Sequence, residues 1–428
     1  MLNNAGTLTI DEKTSETLDR YMANHYKRLP INFTSADGVW LYAGQRKVLD
    51  LMAQYSAAGF GRGSMDGSPF FREVVGAIAD ELVNGCGVLP GSCANETVAT
   101  GAKTLCEFTR MDKVVFMNTG AEAFDTAVKI IRKYLYINSG ITEERGTIIV
   151  CDNNFHGRTL GAISASDTKQ YKEGFGPLLP GFGWIRFGDT DCLETAIKNA
   201  SVIWGRHAIA FLVEPVQGEG GINVPPDGYL REARRICHKY GMLFVLDEVQ
   251  TGFGRTGDTF AWERDGHEAE PDLMMLGKLL GGGIFPVSAV IGRGGIMSVF
   301  RPNDHGSTFG GTPLACRAVT EVVRIFQENP DLVANARETG EYFATKLKEI
   351  VDKIKSPLID DVRGRGLLLG IKFKSSLAEY FQAQLLDKNI LAGVAGHGHV
   401  LRFSPPLIIT KKEIDWALPR IEKALRSS

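Results

Sequence analysis

The stretch KVVFMNTGAEAFDTAVKIIRKYLY, residues 113–136, sets how the rest of the chain is read. KVVFMNTG (113–120) is a short, β-favouring apolar run that ends in a turn. AEAFDTAVKIIRKYLY (121–136) then places Ala127, Ile130, Ile131 and Tyr134 at helical spacing. A buried strand, a tight turn and an amphipathic helix make up the repeating unit of an α/β domain.

The alternation continues downstream. GTIIVCDN (146–153), IAFLVEPV (209–216) and MLFVLDEV (242–249) are further strand candidates, with the unbroken apolar runs of strands covered on both faces. DGYLREARRICHKYG (227–241) predicts a helix that starts on an Asp227 cap and stops at Gly241. From about residue 113 onward the pattern is that of an α/β fold with a parallel sheet. The C-terminal part reads differently. A helical stretch begins around 313, breaks at Asn329-Pro330 and resumes, and strands follow in VRGRGLLLGIKF (362–373) and HVLRFSPPLII (399–409) before a terminal helix. This predicts a separate, smaller domain. Residues 1–50 carry little readable pattern.

At 428 residues, 44% hydrophobic and 23% charged, the chain can bury a large core over two or three domains. Lys plus Arg number 48 against 50 for Asp plus Glu, a formal net charge of -2, so nothing points to a nucleic-acid or membrane partner. The seven cysteines include no C-x-x-C pair, which fits buried thiols in a reducing compartment and no metal site. The N-terminus lacks a secretory signal, and no apolar run approaches the ~18 residues that span a bilayer. A cytoplasmic location is expected. That expectation leaves aside whether a mitochondrial transit peptide has been removed.

The charged groups at strand ends carry the chemistry. Glu214 and Asp247 each follow an apolar run, at the expected carboxyl edge of a parallel sheet, where open α/β folds bind ligands. Strand ends are often polar, so either residue alone also fits an ordinary solvated end. Gln250, in DEVQTGFGRTG, adds polar density beside Asp247. The turn Asn118-Thr119-Gly120 leads into a helix N-terminus, whose free backbone N–H groups suit a phosphate. The glycines of a nucleotide-binding loop are missing there. NNFHGRTLGA (153–162) offers Phe155 to stack on an aromatic ligand and Arg158 to grip a carboxylate, and an exposed turn fits it equally. In LGKLLGGGIFPVSAV (276–290), Lys278 is the sole charged side chain and Gly281, Gly282 and Gly283 follow it. It is either a loop lysine with its head in water or a desolvated amine reactive toward a carbonyl. One ligand would use all these groups: planar and aromatic, with a phosphate, a carbonyl for Lys278 and a ring nitrogen for Asp247. Pyridoxal 5'-phosphate has each of them.

The chain also resembles a known family. NTGAEAFDTAVK, NFHGRTLGAISA, EPVQGEGGI, LDEVQTGFGRTG, LGKLLGGGIFPVSAV, HGSTFGGTPLACRA, VRGRGLLLG and LRFSPPLII occur in the order found in class III pyridoxal-phosphate aminotransferases, from roughly Tyr26 to the C-terminus. The resemblance implies a PLP-dependent transferase fold. A large domain with a mostly parallel sheet would span 51–312, and a smaller α/β domain would combine 1–50 with 313–428.

The resemblance also implies roles for single residues. Lys278 would bond the cofactor and later move the substrate proton, and Asp247 would keep the ring nitrogen protonated. Gln250 would bond the ring oxygen, Phe155 would stack on the ring, and Glu214 would hydrogen-bond near the cofactor oxygen or Gln250. The amides of Gly120 and Ala121 would hold the phosphate together with Thr308, supplied across a homodimer interface.

Within the class, HYKRLPINF (25–33), QYSAAG (54–59) and PVSAV (286–290) are most similar to the branch that transfers the δ-amino group of ornithine to 2-oxoglutarate. The resemblance then implies that Tyr26 and Tyr55 contact the substrate and that Arg158 and Arg402 anchor carboxylates. Glu219 would neutralise Arg402 while ornithine occupies the site. Two departures touch the pocket mouth: AGFGRGSMD (58–66) replaces an NQGHCHP-like run, and GGTP (310–313) stands where GGNP is usual. Other readings are an aminotransferase for acetylornithine, lysine or 4-aminobutyrate, a racemase on the same scaffold, and a catalytically silent binding protein.

Overall fold

Alternate residues of the central strands pack into two different cores, one on each face of a seven-stranded sheet. The computed structural model describes residues 12–63, 67–140 and 145–426, so the SMD of the 58–66 departure lies outside the described residues. The sheet contains β4 (Lys113–Met117), β5 (Gly146–Cys151), β6 (Phe182–Ile185), β7 (His207–Val213), β8 (Leu243–Asp247), β9 (Leu273–Leu276) and β10 (Ser288–Gly292). Their order is β4-β10-β9-β8-β7-β5-β6. Phe211, Phe244, Leu246 and Met274 belong to one core, whereas Leu212, Val245, Leu273 and Met275 belong to the other. This is the period-two alternation of a strand buried on both faces, and it explains why these segments read as unbroken apolar runs.

Helices cover both faces. The helix Gly120–Ser139 lays Ala123, Phe124, Ala127, Ile130 and Ile131 on one core. The helix Pro313–Glu328 lays Ala315, Ala318, Val319 and Val322 on the other. The break expected at Asn329-Pro330 is present, and a second helix runs over Asp331–Ile354. No helix among the described residues is long and apolar enough to cross a membrane.

The sheet is mostly parallel, with one strand reversed: β10 runs antiparallel between β9 and β4. The connection from Leu276 to Ser288 holds only the short 3₁₀ turn Lys278–Gly281 and no helix of the kind that usually carries a crossover between parallel strands. The expected Asp227 cap is also corrected. The helix Tyr229–Lys239 is preceded by Gly228 in a left-handed conformation, with no side-chain cap. Its N-terminal amides are met from elsewhere, as the buried Asp265 accepts from Gly228 N at 3.2 Å and Leu230 N at 2.9 Å. Asp227 lies outside, 3.2 Å from Arg365.

Two further sheets flank the site. β1 (Ser35–Asp37), β2 (Trp40–Ala43) and β3 (Arg46–Asp50) form an antiparallel meander, and β13 (Ile390–Leu391) joins β3 in parallel. The other is antiparallel: β11 (Ile359–Arg365), β12 (Leu368–Phe373), β15 (Val400–Phe403) and β14 (Gly393–Ala395), in that order.

Candidate active site

The carboxyl ends of the parallel strands open into one cavity of about 510 Å³. Asn118 and Thr119 reach it just past β4, Phe155 and His156 past β5, Glu214 past β7, Asp247 at the end of β8 and Lys278 past β9. Residues far apart in sequence meet because each sits at the same end of a parallel strand.

Lys278 opens a single 3₁₀ turn, Lys278–Gly281, with φ at 48°. A non-glycine residue held there stores about 1–3 kcal/mol of strain, a feature concentrated at functional sites. Burial is the main influence on its ammonium, pulling it down to about 8 against the opposing pull of Asp247. Burial favours the desolvated amine over a loop lysine with its head in water. Of the glycines that follow, Gly283 has φ at 75°, and a Cβ there would lie 2.8 Å from the Ala58 Cα. Its lack of a side chain lets the returning loop pass against the cavity wall at Ala57 and Ala58.

Asp247 is held from two sides. Its Oδ1 accepts from Val249 N at 3.0 Å, and its Oδ2 lies 2.7 Å from His156 Nδ1. The imidazole in turn stacks on Phe124, with centroids 5.1 Å apart, and its Nε2 is buried without a partner. The sequence reading passed over His156, although it sits inside the quoted FHGR next to Phe155. A titratable side chain between the candidate ligand residues Phe155 and Arg158 was the available signal.

Glu214 accepts from Phe155 N at 3.0 Å and from Gly218 N at 3.2 Å. Burial pushes its carboxyl up to about 7. Its bond to Gly218 keeps it near Gln250, whose Oε1 would lie 1.6 Å from a Cβ at Gly218, although no hydrogen bond joins the two side chains among the described residues. Gln250 Nε2 donates instead to the Tyr55 carbonyl and to Ser56 Oγ, both at 3.3 Å. Glu214 has its oxygens committed to two backbone amides, and so ties the 155 loop to the 218 loop.

The opposite end of the cavity is the start of the Gly120–Ser139 helix. Thr119 and Glu122 form a capping box: Thr119 Oγ1 accepts from Glu122 N at 3.2 Å and Glu122 Oε2 accepts from Thr119 N at 2.8 Å. Gly120 and Ala121 line the cavity at positions whose amides have no partner within the helix, at the positive end of its dipole.

Beyond Lys278 lies a second group of charges. Arg402, on β15, is 1% exposed and its Nη1 donates to Glu219 Oε2 at 2.7 Å. Its Nε and Nη2 are buried without partners. A buried guanidinium with two free nitrogens is suited to a second carboxylate. The Tyr55 ring lies 5.3 Å from that guanidinium. Tyr55 itself belongs to a run of four left-handed residues, Ala53 to Ser56, with φ between 43° and 78°. Such a turn costs about 1–2 kcal/mol per residue. Asp50 Oδ1 offsets part of this by accepting from Met52 N and Ala53 N, and Ser404 donates to the Leu51 and Met52 carbonyls.

Arg158 is exposed and lies 3.7 Å from the centre of the Tyr171 ring and 5.4 Å from that of Phe155. Tyr171, in the short helix Lys169–Lys172, belongs to no quoted motif and had no signal in the sequence. Tyr26 is 66% exposed. Tyr26, Tyr55, Arg158, Glu219, Arg402 and the exposed Thr308 are not among the residues that line the cavity.

Pyridoxal 5'-phosphate fits this donor set. The low-pKa amine of Lys278 suits its aldehyde, the Asp247–His156 pair its ring nitrogen, Phe155 its face, and the helix start at Gly120 its phosphate. Comparison with known proteins agrees. The family described as Aminotransferase class-III matches residues 21–425. The ornithine aminotransferase of Halalkalibacterium halodurans is 40% identical over 425 residues, covering 99% of both chains. A structure of the ornithine aminotransferase from Toxoplasma gondii, with partial occupancy of PLP at its active site, superposes with a TM-score of 0.89 at 33% identity over 98% of this chain and 96% of that one. The acetylornithine aminotransferase of Elizabethkingia anophelis superposes with a TM-score of 0.83 at 32% identity, over 97% and 99%.

Proposed function

The chain belongs to the class-III aminotransferases, and from that membership we propose that it transfers the δ-amino group of L-ornithine to 2-oxoglutarate, giving glutamate 5-semialdehyde and glutamate by a ping-pong mechanism. The observation that carries this reading is the Arg402–Glu219 pair beside Tyr55, with two guanidinium nitrogens left open. An enzyme that takes ornithine by its distal amine and 2-oxoglutarate by its keto end needs a carboxylate anchor that can be switched off. A bare guanidinium would draw the α-carboxylate of ornithine and present the wrong amine. Glu219, itself part-exposed, occupies Arg402 during the ornithine half-reaction and yields it to the α-carboxylate of 2-oxoglutarate in the other. Arg158 grips the remaining carboxylate, and Tyr26 and Tyr55 border the ornithine chain.

Pyridoxal 5'-phosphate, when bound, supplies an aldehyde that takes up the amine and a protonated ring that accepts the electron pair released on deprotonation. Lys278 holds the aldehyde end, and its neutral amine moves the proton at the reacting carbon. Asp247 holds the proton on the ring nitrogen, and His156 fixes the orientation of Asp247. Gln250 meets the ring oxygen, Glu214 supports that side through the Phe155 amide, and Gly120 and Ala121 meet the phosphate.

The remaining phosphate ligand is the partner subunit's Thr308, so the working unit is a homodimer. Supporting this, Thr308 is exposed on its own chain and is followed by Phe309, an aromatic 58% exposed. The location is cytoplasmic, in keeping with seven cysteines that are all free.

The test is a comparison of L-ornithine with N-acetylornithine as amino donors, using 2-oxoglutarate as acceptor. The expected result is a kcat/KM for ornithine at least about tenfold higher, because the acetylated donor must fit its added group between Tyr55 and Arg402. A preference for the acetylated donor would reject the assignment in favour of an acetylornithine enzyme.

A further inference from the structure

Glu219 sits near the tip of a closed loop, 217–223, whose two ends pair with each other: Gln217 N donates to Asn223 O and Asn223 N to Gln217 O, both at 3.0 Å. The Asn223 side chain finishes this neck. Its Nδ2 donates to Gln217 Oε1 at 2.8 Å and to Gly220 O at 3.2 Å, and its Oδ1 accepts from Arg363 Nη1 at 2.8 Å. Arg363 is itself fixed, since Asp361 takes its Nε at 2.8 Å and its Nη2 at 2.7 Å.

The sheet register makes this contact informative. Arg363 on β11 pairs with Gly370 on β12, and Gly370 pairs with Arg402 on β15. The two arginines therefore stand in one row of one sheet and point to the same face, about 10 Å apart across two strand spacings. Arg402 holds the loop by Glu219, and Arg363 holds it by Asn223. When an incoming carboxylate takes Arg402, the loop loses its Glu219 contact and keeps the neck.

We propose that Asn223, clasped by Arg363, is a positioning residue for specificity: it holds the 217–223 loop on the Arg402 sheet so that only the Glu219 side chain moves, and thereby sets how completely Arg402 is masked while the δ-amine reacts. A backbone bond from Gly396 N to Glu219 O, at 2.8 Å, acts in the same sense. The proposal rests on the reading of Glu219 as the removable partner of Arg402. On its outer side the clasp borders a cavity of about 420 Å³, so truncation of Asn223 leaves solvent and not a hole in the core.

The test measures the two half-reactions of the cofactor-loaded enzyme by stopped-flow absorbance, with ornithine and with glutamate as amino donors. Asn223→Ala is expected to shift the ratio of their rate-to-affinity quotients about tenfold toward glutamate, the size of one lost hydrogen-bonded tie. Asn223→Asp keeps the acceptor for Arg363, loses the amide donor and should shift the ratio the same way by less, which covers the case of a poorly folding alanine variant. Glu219→Ala should shift it at least as far, and Asn223→Ala combined with Glu219→Ala should shift it no further than Glu219→Ala alone. If Glu219→Ala moves the ratio and neither Asn223 variant does, or if the effects add, the positioning role is overturned while the Glu219 reading stands. If Glu219→Ala leaves the ratio unmoved, both fall.

Discussion

An amine that loses its proton near pH 8 attacks aldehydes under conditions in which an ordinary lysine is almost wholly charged. For Lys278 the direction of the effect is set by burial, which penalises the ammonium form, so the reactive fraction grows as pH rises toward 8 and saturates above it. Stripped of cofactor and offered pyridoxal 5'-phosphate, the protein should therefore regain its absorbance at a rate that rises about tenfold per pH unit below 8 and flattens by about pH 9. A rate still climbing at about pH 10 would indicate an amine with an ordinary pKa and would contradict the desolvated state. The contrast with His156 shows what single residues reveal before a structure exists. Lys278 stood out because a lone charge in an apolar run is conspicuous. His156 did not, because its meaning comes from a contact with Asp247 made across two strands.

At the scale of elements, legibility follows locality. The helix Gly120–Ser139 and strands β7 and β8 were readable because their burial is written in their own periodicity. The reversal of β10, the Asp265 carboxylate in place of an Asp227 cap, and the left-handed run at Ala53–Ser56 were not. Asp265 and Ser404, which hold the second and third of these, are distant in sequence from the segments they bond, and a strand's direction in the sheet is not written in its own periodicity. The same non-local logic predicts one sensitive packing point. Gly340, in the middle of the helix Asp331–Ile354, faces the β11–β12 turn, and a Cβ there would lie 2.1 Å from the Gly366 carbonyl oxygen. The obstacle is backbone and cannot rotate away. Gly340→Ala should lower stability by about 1–3 kcal/mol, despite alanine's higher helix propensity. A urea midpoint equal to that of the native protein would mean that the turn can retreat without cost.

At the scale of the whole molecule, one sheet edge brings Phe155, Glu214, Asp247 and Lys278 to a single cavity, whereas Thr308 is exposed and is not among the residues that line it. If the phosphate ligand comes from the partner subunit's Thr308, each site is shared, and damage at the two positions should be mutually repairable. Lys278→Ala alone should abolish turnover while the fold persists, since the amine that holds the aldehyde and moves the proton is gone. Thr308→Ala alone should weaken cofactor binding at both sites. In a dimer built from one copy of each variant, one site combines an intact Lys278 with an intact Thr308, and the other lacks both. Random reassortment of equal amounts makes half of the dimers mixed, each with one native site of two, so activity should approach about a quarter of the native value. The assay is turnover at limiting pyridoxal 5'-phosphate before and after the two variants are unfolded and refolded together. A site contained within one chain would leave the refolded mixture at no more than half the activity of Thr308→Ala, so a rise above that level requires that the site be shared.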